Sequence, residues 1–361
     1  MEWKNELTRL LGINYPLIQA PMLGITTPAM VAAVSNSGGL GSLPVGGLSP
    51  ERVTALIREV KALTPQPFAV NLFIYEPAVS YERKTFDDMQ DFLQSLYKAH
   101  HITAARISFD EVPYHSWRDQ LPAVLAAGIK HISFTFGMPD AEGFRVLKEH
   151  GVILMGTATS VAEAVALKEA GSNVIVAQGI EAGGHRGSFL PGELPRIGTM
   201  ALVPQVADRV RVPVVAAGGI MDGRGVLAAR ALGAAGVQMG SVFLRSHESL
   251  ATPAHKAALA GITDTDTLLT RAFSGRWARG VRNTFITAVD ASGLEISGYP
   301  YQDVLTQAGR KAAREQDNPE LFNMWAGQAA GKARAWSTAD IFAEIVREAG
   351  SSPAILSPPR L

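Results

Sequence analysis

The densest chemical signal in the chain is the run Ala177-Gln178-Gly179-Ile180-Glu181-Ala182-Gly183-Gly184-His185-Arg186-Gly187, which closes an apolar stretch beginning at Val174. Glycine lets backbone approach a ligand closely, and His185 offers that ligand a group whose ordinary pKa lies near neutrality. Four glycines around one imidazole are hard to explain as packing. A lone histidine is usually structural, but this one has no helical face to bury it. General acid–base work, or the holding of an anion, is the chemistry that such a loop suits.

Two more glycine signals come late: Ala216-Ala217-Gly218-Gly219-Ile220 and Gln238-Met239-Gly240-Ser241. Bare N–H groups can converge on phosphate oxygens, and Ser241 adds a hydroxyl donor. Either run alone reads as a tight strand-to-helix turn; the two on consecutive strands favour a phosphate site. Amides form a third group, with Gln19 in Gln19-Ala20-Pro21-Met22, then Asn71 and Gln178. An amide offers donor and acceptor together, as the edge of a planar heterocycle requires. Any one of them could instead hold a loop. At three different strand ends, opposite a phosphate site, they suggest a nucleotide-type cofactor.

The remaining histidines carry less. His131 begins a strand and is balanced between lining the cavity and packing in the core. His100, His101, His115, His150, His247 and His255 are expected to face solvent. The chain has no HExxH pattern, no cysteine and no acidic cluster beside a histidine, so no metal site is expected. Ser241 lacks the GxSxG elbow of a hydrolase nucleophile.

Positioning these groups falls to a repeated strand, loop and helix. Strands are expected at 16–22, 39–43, 68–73, 131–135, 152–155, 174–178, 214–217 and 237–239, with helices such as 49–63, 160–170 and 222–232. Gly128, Gly151, Gly171 and Gly233 each stand between a helical pattern and the next apolar run, where a helix C-terminus needs them. Ser49 reads as an N-cap, and Ser160 with Glu163 as a capping box. Eight such strands favour an α/β fold, a (β/α)8 TIM barrel. A doubly wound sheet is the rival, but the nearest approach to GxGxxG, at 39–44, ends in Pro44 and follows a helix. Residues 76–125 predict extra helices after strand three. Residues 261–331, rich in Arg, Gly and aromatics, predict an excursion after strand eight, before an amphipathic helix at 338–349. The expectation is a single domain over 1–361, with 261–331 as an elaboration on the substrate side.

Composition narrows the class. At 361 residues, 47% apolar and 18% charged, the chain can fill a large core. Lys+Arg and Asp+Glu are equal at 33 each, which gives nucleic acid or anionic lipid no basic excess to bind. The absence of cysteine removes disulfides and thiol nucleophiles while leaving the redox compartment open. Residues 10–50 contain no charged side chain, yet prolines and glycines break them well short of the roughly 20 apolar residues of a spanning helix. No signal peptide is evident at the start, and a cytoplasmic location is expected.

Gln19-Ala20-Pro21-Met22, Asn71, the loop 177–185, Ala217-Gly218-Gly219-Ile220, Gln238-Met239-Gly240-Ser241 and Asn323-Met324-Trp325-Ala326-Gly327-Gln328 together resemble the nitronate monooxygenase family, formerly called 2-nitropropane dioxygenases. The likeness spans nearly the whole chain. It implies a TIM-barrel flavoprotein that binds FMN non-covalently. Met22, Asn71, Gln178 and Gly183 would contact the flavin, and Gly218, Gly219, Gln238, Met239, Gly240 and Ser241 would hold its ribityl phosphate. Ser241 replaces the threonine frequent in the family and keeps the hydroxyl. His185 matches the catalytic histidine, while His131, Tyr299 and Tyr301 are candidates for the substrate wall. The implied reaction oxidises an alkyl nitronate, such as propionate 3-nitronate, with O2 to a carbonyl compound and nitrite. His185 would serve as base or as anion-holding group. The alternative is an NAD(P)H-dependent flavin reductase of quinones or of enoyl-acyl-carrier-protein, which shares the GGH loop. A flavin-binding scaffold without activity is disfavoured by the intact histidine, and an IMP dehydrogenase lacks its cysteine here. The partners implied are a small nitronate and O2, with a homo-oligomer compatible and the oligomeric state open.

Overall fold

A computed structural model describes residues 2–76 and 82–351. Its strands, in chain order, are β1 (Leu17–Gln19), β2 (Gly41–Pro44), β3 (Phe68–Phe73), β4 (His131–Thr135), β5 (Ile153–Ala158), β6 (Val174–Gln178), β7 (Gly184–His185), β8 (Val214–Ala217), β9 (Gly236–Met239), β10 (Thr267–Thr270) and β11 (Ala278–Val281). Eight of them form one parallel sheet in the order β1-β9-β8-β6-β5-β4-β3-β2. A bridge from Ile18 to Leu40 closes that sheet on itself. The result is the TIM barrel that the sequence rhythm predicts.

Helices form where the sequence supplies their ends. Ser49, Asp140, Ser160 and Asp222 cap their helices by accepting from the backbone N–H three residues on. Gly128, Gly151, Gly171 and Gly233 then take positive φ angles of 68°, 64°, 111° and 97° on the way to the next strand. The Thr338–Gly350 helix completes the ring, packing between the Pro28–Asn36 and Gly223–Ala231 helices. One local expectation is corrected. Glu163 does not reach back to the N–H of Ser160 as a capping box would. Its carboxylate accepts from Thr159 N and Oγ1 on one side, and from Phe189 N and Leu190 N on the other. The helix end thereby ties down the long loop after β6.

The barrel's two surfaces separate cleanly. Leu17, Val70, Phe134, Ile175, Ala216 and Met239 face the helices in the larger core. Ile18, Ala69, Met155, Val176, Val215 and Ala217 face inward, and Leu7 and Leu11 of the Glu6–Leu11 helix plug the barrel's N-terminal end. Both expected interruptions are present and pack on each other. The Arg83–Ala99 helix, between β3 and β4, shares a second core with the Thr284–Ala291 and Tyr301–Glu315 helices. His255 is buried on the Pro253–Gly261 helix at 2% exposure, which corrects the expectation that it faces solvent.

Gln19 is also reassigned. It is fully buried, its Oε1 accepts from Ser42 N at 2.9 Å, and its Nε2 donates to Thr26 Oγ1 at 3.0 Å. The side chain thus supplies the hydrogen bond that the short β1–β2 seam lacks. Its amide serves barrel closure and not a ligand. Replacing it, Gln19→Met, strands a buried N–H, at a cost of about 1–3 kcal/mol. Urea unfolding is expected to show a lower midpoint with an unchanged slope. An unchanged midpoint would mean that Ser42 N finds another partner.

Candidate active site

The site lies at the C-terminal ends of the barrel strands, the end where barrels place their chemistry. After β6 the chain does not proceed directly to its helix, Thr199–Arg209. It folds back so that β7 pairs antiparallel with β11, through Ala278 opposite His185 and Arg279 opposite Gly184, and β10 completes a three-stranded sheet. The excursion after strand eight therefore holds the histidine loop in place.

Hydrogen bonds fix that loop residue by residue. Gln178 Nε2 donates to His185 O at 3.0 Å, and its Oε1 accepts from Gly187 N at 2.9 Å. Arg186, 1% exposed, turns inward and donates to Gly179 O and Gln178 O. Arg279 Nε donates to Ile180 O, and Glu181 accepts from Thr199 N and Oγ1. Gly187 closes over the barrel, where a Cβ would lie 2.6 Å from Thr157 Cγ2.

His185 is half-buried in a wall of rings. Phe136 meets it edge-on at 5.4 Å and Trp325 lies tilted at 5.5 Å. Phe73 and Tyr299 continue the wall around Phe136, and Tyr75 packs on Tyr299. The His185 Nε2 is 2.8 Å from Ser274 Oγ. Burial pushes the imidazole down to about 4; Asp303 opposes that shift, while Arg276 and Arg310 add to it. The ring is therefore neutral at physiological pH, with a lone pair available on one nitrogen. Burial likewise raises the Tyr75 and Tyr299 hydroxyls well above the usual phenol range.

Five chain segments meet at a glycine cradle beside the same loop. The Met22 Sδ would lie 3.4 Å from a Cβ on Gly240, and Ser241 Oγ accepts from Gly327 N at 2.9 Å. Gly183 passes so close to this segment that a Cβ would sit 2.5 Å from Ala326 C and Gly327 N. Gly218 and Gly219 turn out of β8 with φ angles of 116° and 73°. Among the described residues, the N–H groups of Gly219 and Gly240 donate no hydrogen bond, and neither does the half-buried Gln238 amide. Ser241, an acceptor from Gly327, keeps its own proton to donate. Asn71 faces the interior with Nδ2 on Ser133 Oγ at 2.9 Å.

The nitronate monooxygenase family profile matches residues 4–348. The chain belongs to the nitronate monooxygenase family. It is 43% identical over 347 residues to a probable nitronate monooxygenase of Staphylococcus aureus strain MRSA252, covering 96% of this chain and 97% of that one. The match to a second, from strain MSSA476, is 45% over 327 residues, covering 90% and 91%. Among solved structures, nitroalkane oxidase from Streptomyces ansochromogenes has a TM-score of 0.88 at 32% identity, covering 98% of this chain and 100% of its own. FabK from Thermotoga maritima has a TM-score of 0.77 at 28% identity, covering 98% of each. The chain is thus an oxidoreductase of a family that oxidises nitronates.

Not every residue expected at a nitronate monooxygenase site is brought to this one. His131 begins β4 and points inward, but at the N-terminal end, four residues from Thr135 at the mouth. That separation is roughly 13 Å along a strand, which removes His131 from the wall around His185. Tyr301 stacks on Phe109 at 5.0 Å and edges Phe86 at 6.2 Å, so its ring belongs to the second core. Of the expected substrate-wall residues, Tyr299 alone lies in the ring cluster. Met239, 1% exposed, directs its side chain to the outer core, and its carbonyl accepts from Ala20 N. Gln178 has both amide ends engaged by the loop. Sequence reading missed Ser274, Phe136 and Arg276 altogether. Ser274 meets His185 across 89 positions, a pairing that no local pattern announces. Phe136 leaves β4 with φ at 77°, a conformation rare for a bulky residue.

Ser274→Ala is expected to lower turnover of a nitronate about tenfold, the equivalent of one ordinary hydrogen bond, while leaving thermal stability within a degree or two. Equal turnover in the variant would show that Ser274 does not orient the imidazole.

Proposed function

We propose that this protein is an FMN-dependent nitronate monooxygenase, converting small alkyl nitronates, propionate 3-nitronate or similar, with O2 to a carbonyl compound and nitrite. The observation that carries this reading is a neutral histidine hydrogen-bonded to Ser274 in a ring-lined wall, on a barrel that also offers unused backbone donors after its last two strands. Those donors would suit a phosphate: Gly219 N, Gly240 N and the Ser241 hydroxyl follow the last two barrel strands, where barrels commonly bind one. Met22, Gly183 and Gly218 line the same cradle, the Gln238 amide offers a donor and an acceptor, and Asn71 presents its Oδ1 to the interior. Gln178 would act by holding the loop beside the flavin.

When bound there, FMN would supply the redox chemistry, taking electrons from the nitronate carbon and passing them to dioxygen. The protein's own residues do the rest. The rings of Phe136, Tyr299 and Trp325 exclude water and orient a small substrate. His185, held neutral, can take the acidic α-proton of a nitroalkane and so generate the nitronate in place. The resemblance leaves two roles open for this residue, and burial favours the base. An imidazole kept neutral cannot hold an anion as a cation would.

Anaerobic mixing of the flavin-loaded protein with ethyl nitronate is expected to bleach the flavin band, and admission of air to yield nitrite. One competing reading is the NAD(P)H-dependent flavin reductase that the glycine–histidine loop also resembles. Bleaching by NADH and not by nitronate would establish that reading instead.

His185→Asn is expected to cut kcat/KM for nitroethane by 100-fold or more, a general base being worth about 10²–10⁴. It should affect preformed ethyl nitronate much less, since that substrate has no proton to lose. The sign of the pH dependence follows from the depressed pKa. The base is active in its neutral form, so kcat/KM for nitroethane should stay flat as pH falls from 7 and drop only near about 4. An acidic limb centred near the ordinary histidine value would rule out a desolvated base.

A further inference from the structure

We propose that Gln302 and Thr306 are positioning residues for His185: by gripping two successive carbonyls they place Ser274 so that the imidazole proton stays on Nε2 and the lone pair on Nδ1. This rests on the nitronate reading above and names the atom that takes the proton. Both side chains lie on the Tyr301–Glu315 helix, four positions apart and so on one face. Both are buried at 0% exposure. Gln302 Nε2 donates to Ala272 O at 2.7 Å, and Thr306 Oγ1 donates to Phe273 O at 2.6 Å. The Thr306 hydroxyl is nearer that carbonyl than Asp303 O of its own helix, at 3.1 Å. Gln302 Oε1 has no partner among the described residues. A buried amide with a stranded acceptor costs stability, and what the amide secures is Ala272 O.

The two gripped carbonyls immediately precede Ser274. Around it, Gly275 N donates to Arg271 O at 2.8 Å and Arg271 Nε donates to Gly275 O at 2.9 Å. Phe273 stacks on Phe285 at 4.4 Å, with the ring planes 9° apart. Ser274 therefore has little freedom, and its hydroxyl has one proton and two lone pairs to distribute. Arg276 N donates to Ser274 Oγ at 3.4 Å, and Arg276 O lies 3.4 Å away as acceptor for the hydroxyl proton. The remaining lone pair meets His185 Nε2 at 2.8 Å, which calls for Nε2–H as the donor. No hydrogen bond engages Nδ1 among the described residues. Nδ1 then takes the α-proton of a nitroalkane, and the C–H electron pair moves into the nitro group to give the nitronate. The ring becomes a cation whose Nε2–H is still held by Ser274. A serine released from the clamp would turn its proton toward Nε2; the ring proton would then sit on Nδ1 and the base would be lost.

The test compares Thr306→Val, Thr306→Ser and Gln302→Met with the native holoenzyme, using nitroethane, which must lose a proton, and preformed ethyl nitronate, which need not. Thr306→Val and Gln302→Met are expected to lower kcat/KM for nitroethane about 3- to 10-fold, part of what a general base contributes, and to change that for ethyl nitronate less than about twofold. Thr306→Ser keeps the hydroxyl and should keep native values. In a Ser274→Ala background, Thr306→Val should cause no further loss, because residues that act through one another are not additive. Equal losses on the two substrates, or losses that multiply with Ser274→Ala, would overturn the proposal. Nitrogen NMR of protein labelled at histidine gives a readout independent of turnover, with His185 assigned through His185→Asn. The native ring should carry its proton on Nε2, and Thr306→Val should show a mixture of the two tautomers. A native proton on Nδ1, or a tautomer unmoved by the substitution, would overturn the proposal as well. If Thr306→Val does not fold, Gln302→Met carries the same comparisons. Should the native protein oxidise neither substrate, the nitronate reading falls, and the tautomers alone then decide the role of the clamp.

Discussion

A loop with four glycines in nine residues ought to be mobile, and the site depends on its being otherwise. The decisive interaction is the burial of Arg186. Its guanidinium donates to Gly179 O and Gln178 O, so the carbonyls at the start of the loop are bound by a side chain at its end. The cost of taking that charge out of water shows in its pKa, which burial lowers to about 10, with Glu163 and Glu181 working against the shift. The group still carries its charge at neutral pH. Glu163 meanwhile receives Phe189 N and Leu190 N, and Glu181 receives Thr199 N. Charged hydrogen bonds thus take the place of the side-chain packing that glycine cannot provide. The glycines are kept for approach: Gly183 must pass Gly327 more closely than any side chain would permit.

What the sequence revealed, and what it hid, divides along contact range. The barrel was legible because its signals are local. Each strand is a short apolar run, each helix begins at a capping side chain, and Gly128, Gly151, Gly171 and Gly233 mark the returns. The glycine runs at 218–219 and 240–241 were legible for the same reason. His185 stood out through its neighbours. Ser274 and Phe136 did not, and Trp325 was visible only within the run at 323–328, because each becomes part of the site only when distant segments meet. Trp325 arrives by an antiparallel bridge to Gly280, and Ser274 by the turn before β11. Amide chemistry misled in a different way. Gln19 and Gln178 are of the type that binds a heterocycle, but one seals the barrel and the other secures the loop. Residue type alone does not say whether the partner is ligand or backbone.

The two interruptions of the barrel rhythm explain each other. Neither the Arg83–Ala99 helix nor the Tyr301–Glu315 helix could bury its apolar face alone. Packed together, and sharing a cluster with Phe285 and Phe322, they form a second core. That core carries Tyr301 on one side and delivers Tyr299 to the ring wall on the other. Two tyrosines separated by one residue therefore have different tasks, and Pro300 between them marks the turn from wall to helix. An insertion after strand three and another after strand eight read as unrelated in sequence. Their common function is to support the cover over the barrel mouth.

The electrostatics of that cover decide the charge state of the histidine. Ring packing around His185 removes water, and removal of water keeps the imidazole neutral. Neutrality suits a base, so the role proposed for His185 depends on the rings staying packed. Phe136 meets the imidazole edge-on from a backbone with φ at 77°, rare for a bulky residue. A smaller residue there would relieve that strain but admit water to the imidazole. Its pKa would then return toward the ordinary histidine value, and part of the ring population would be protonated at neutral pH even with every hydrogen-bonding group still in place.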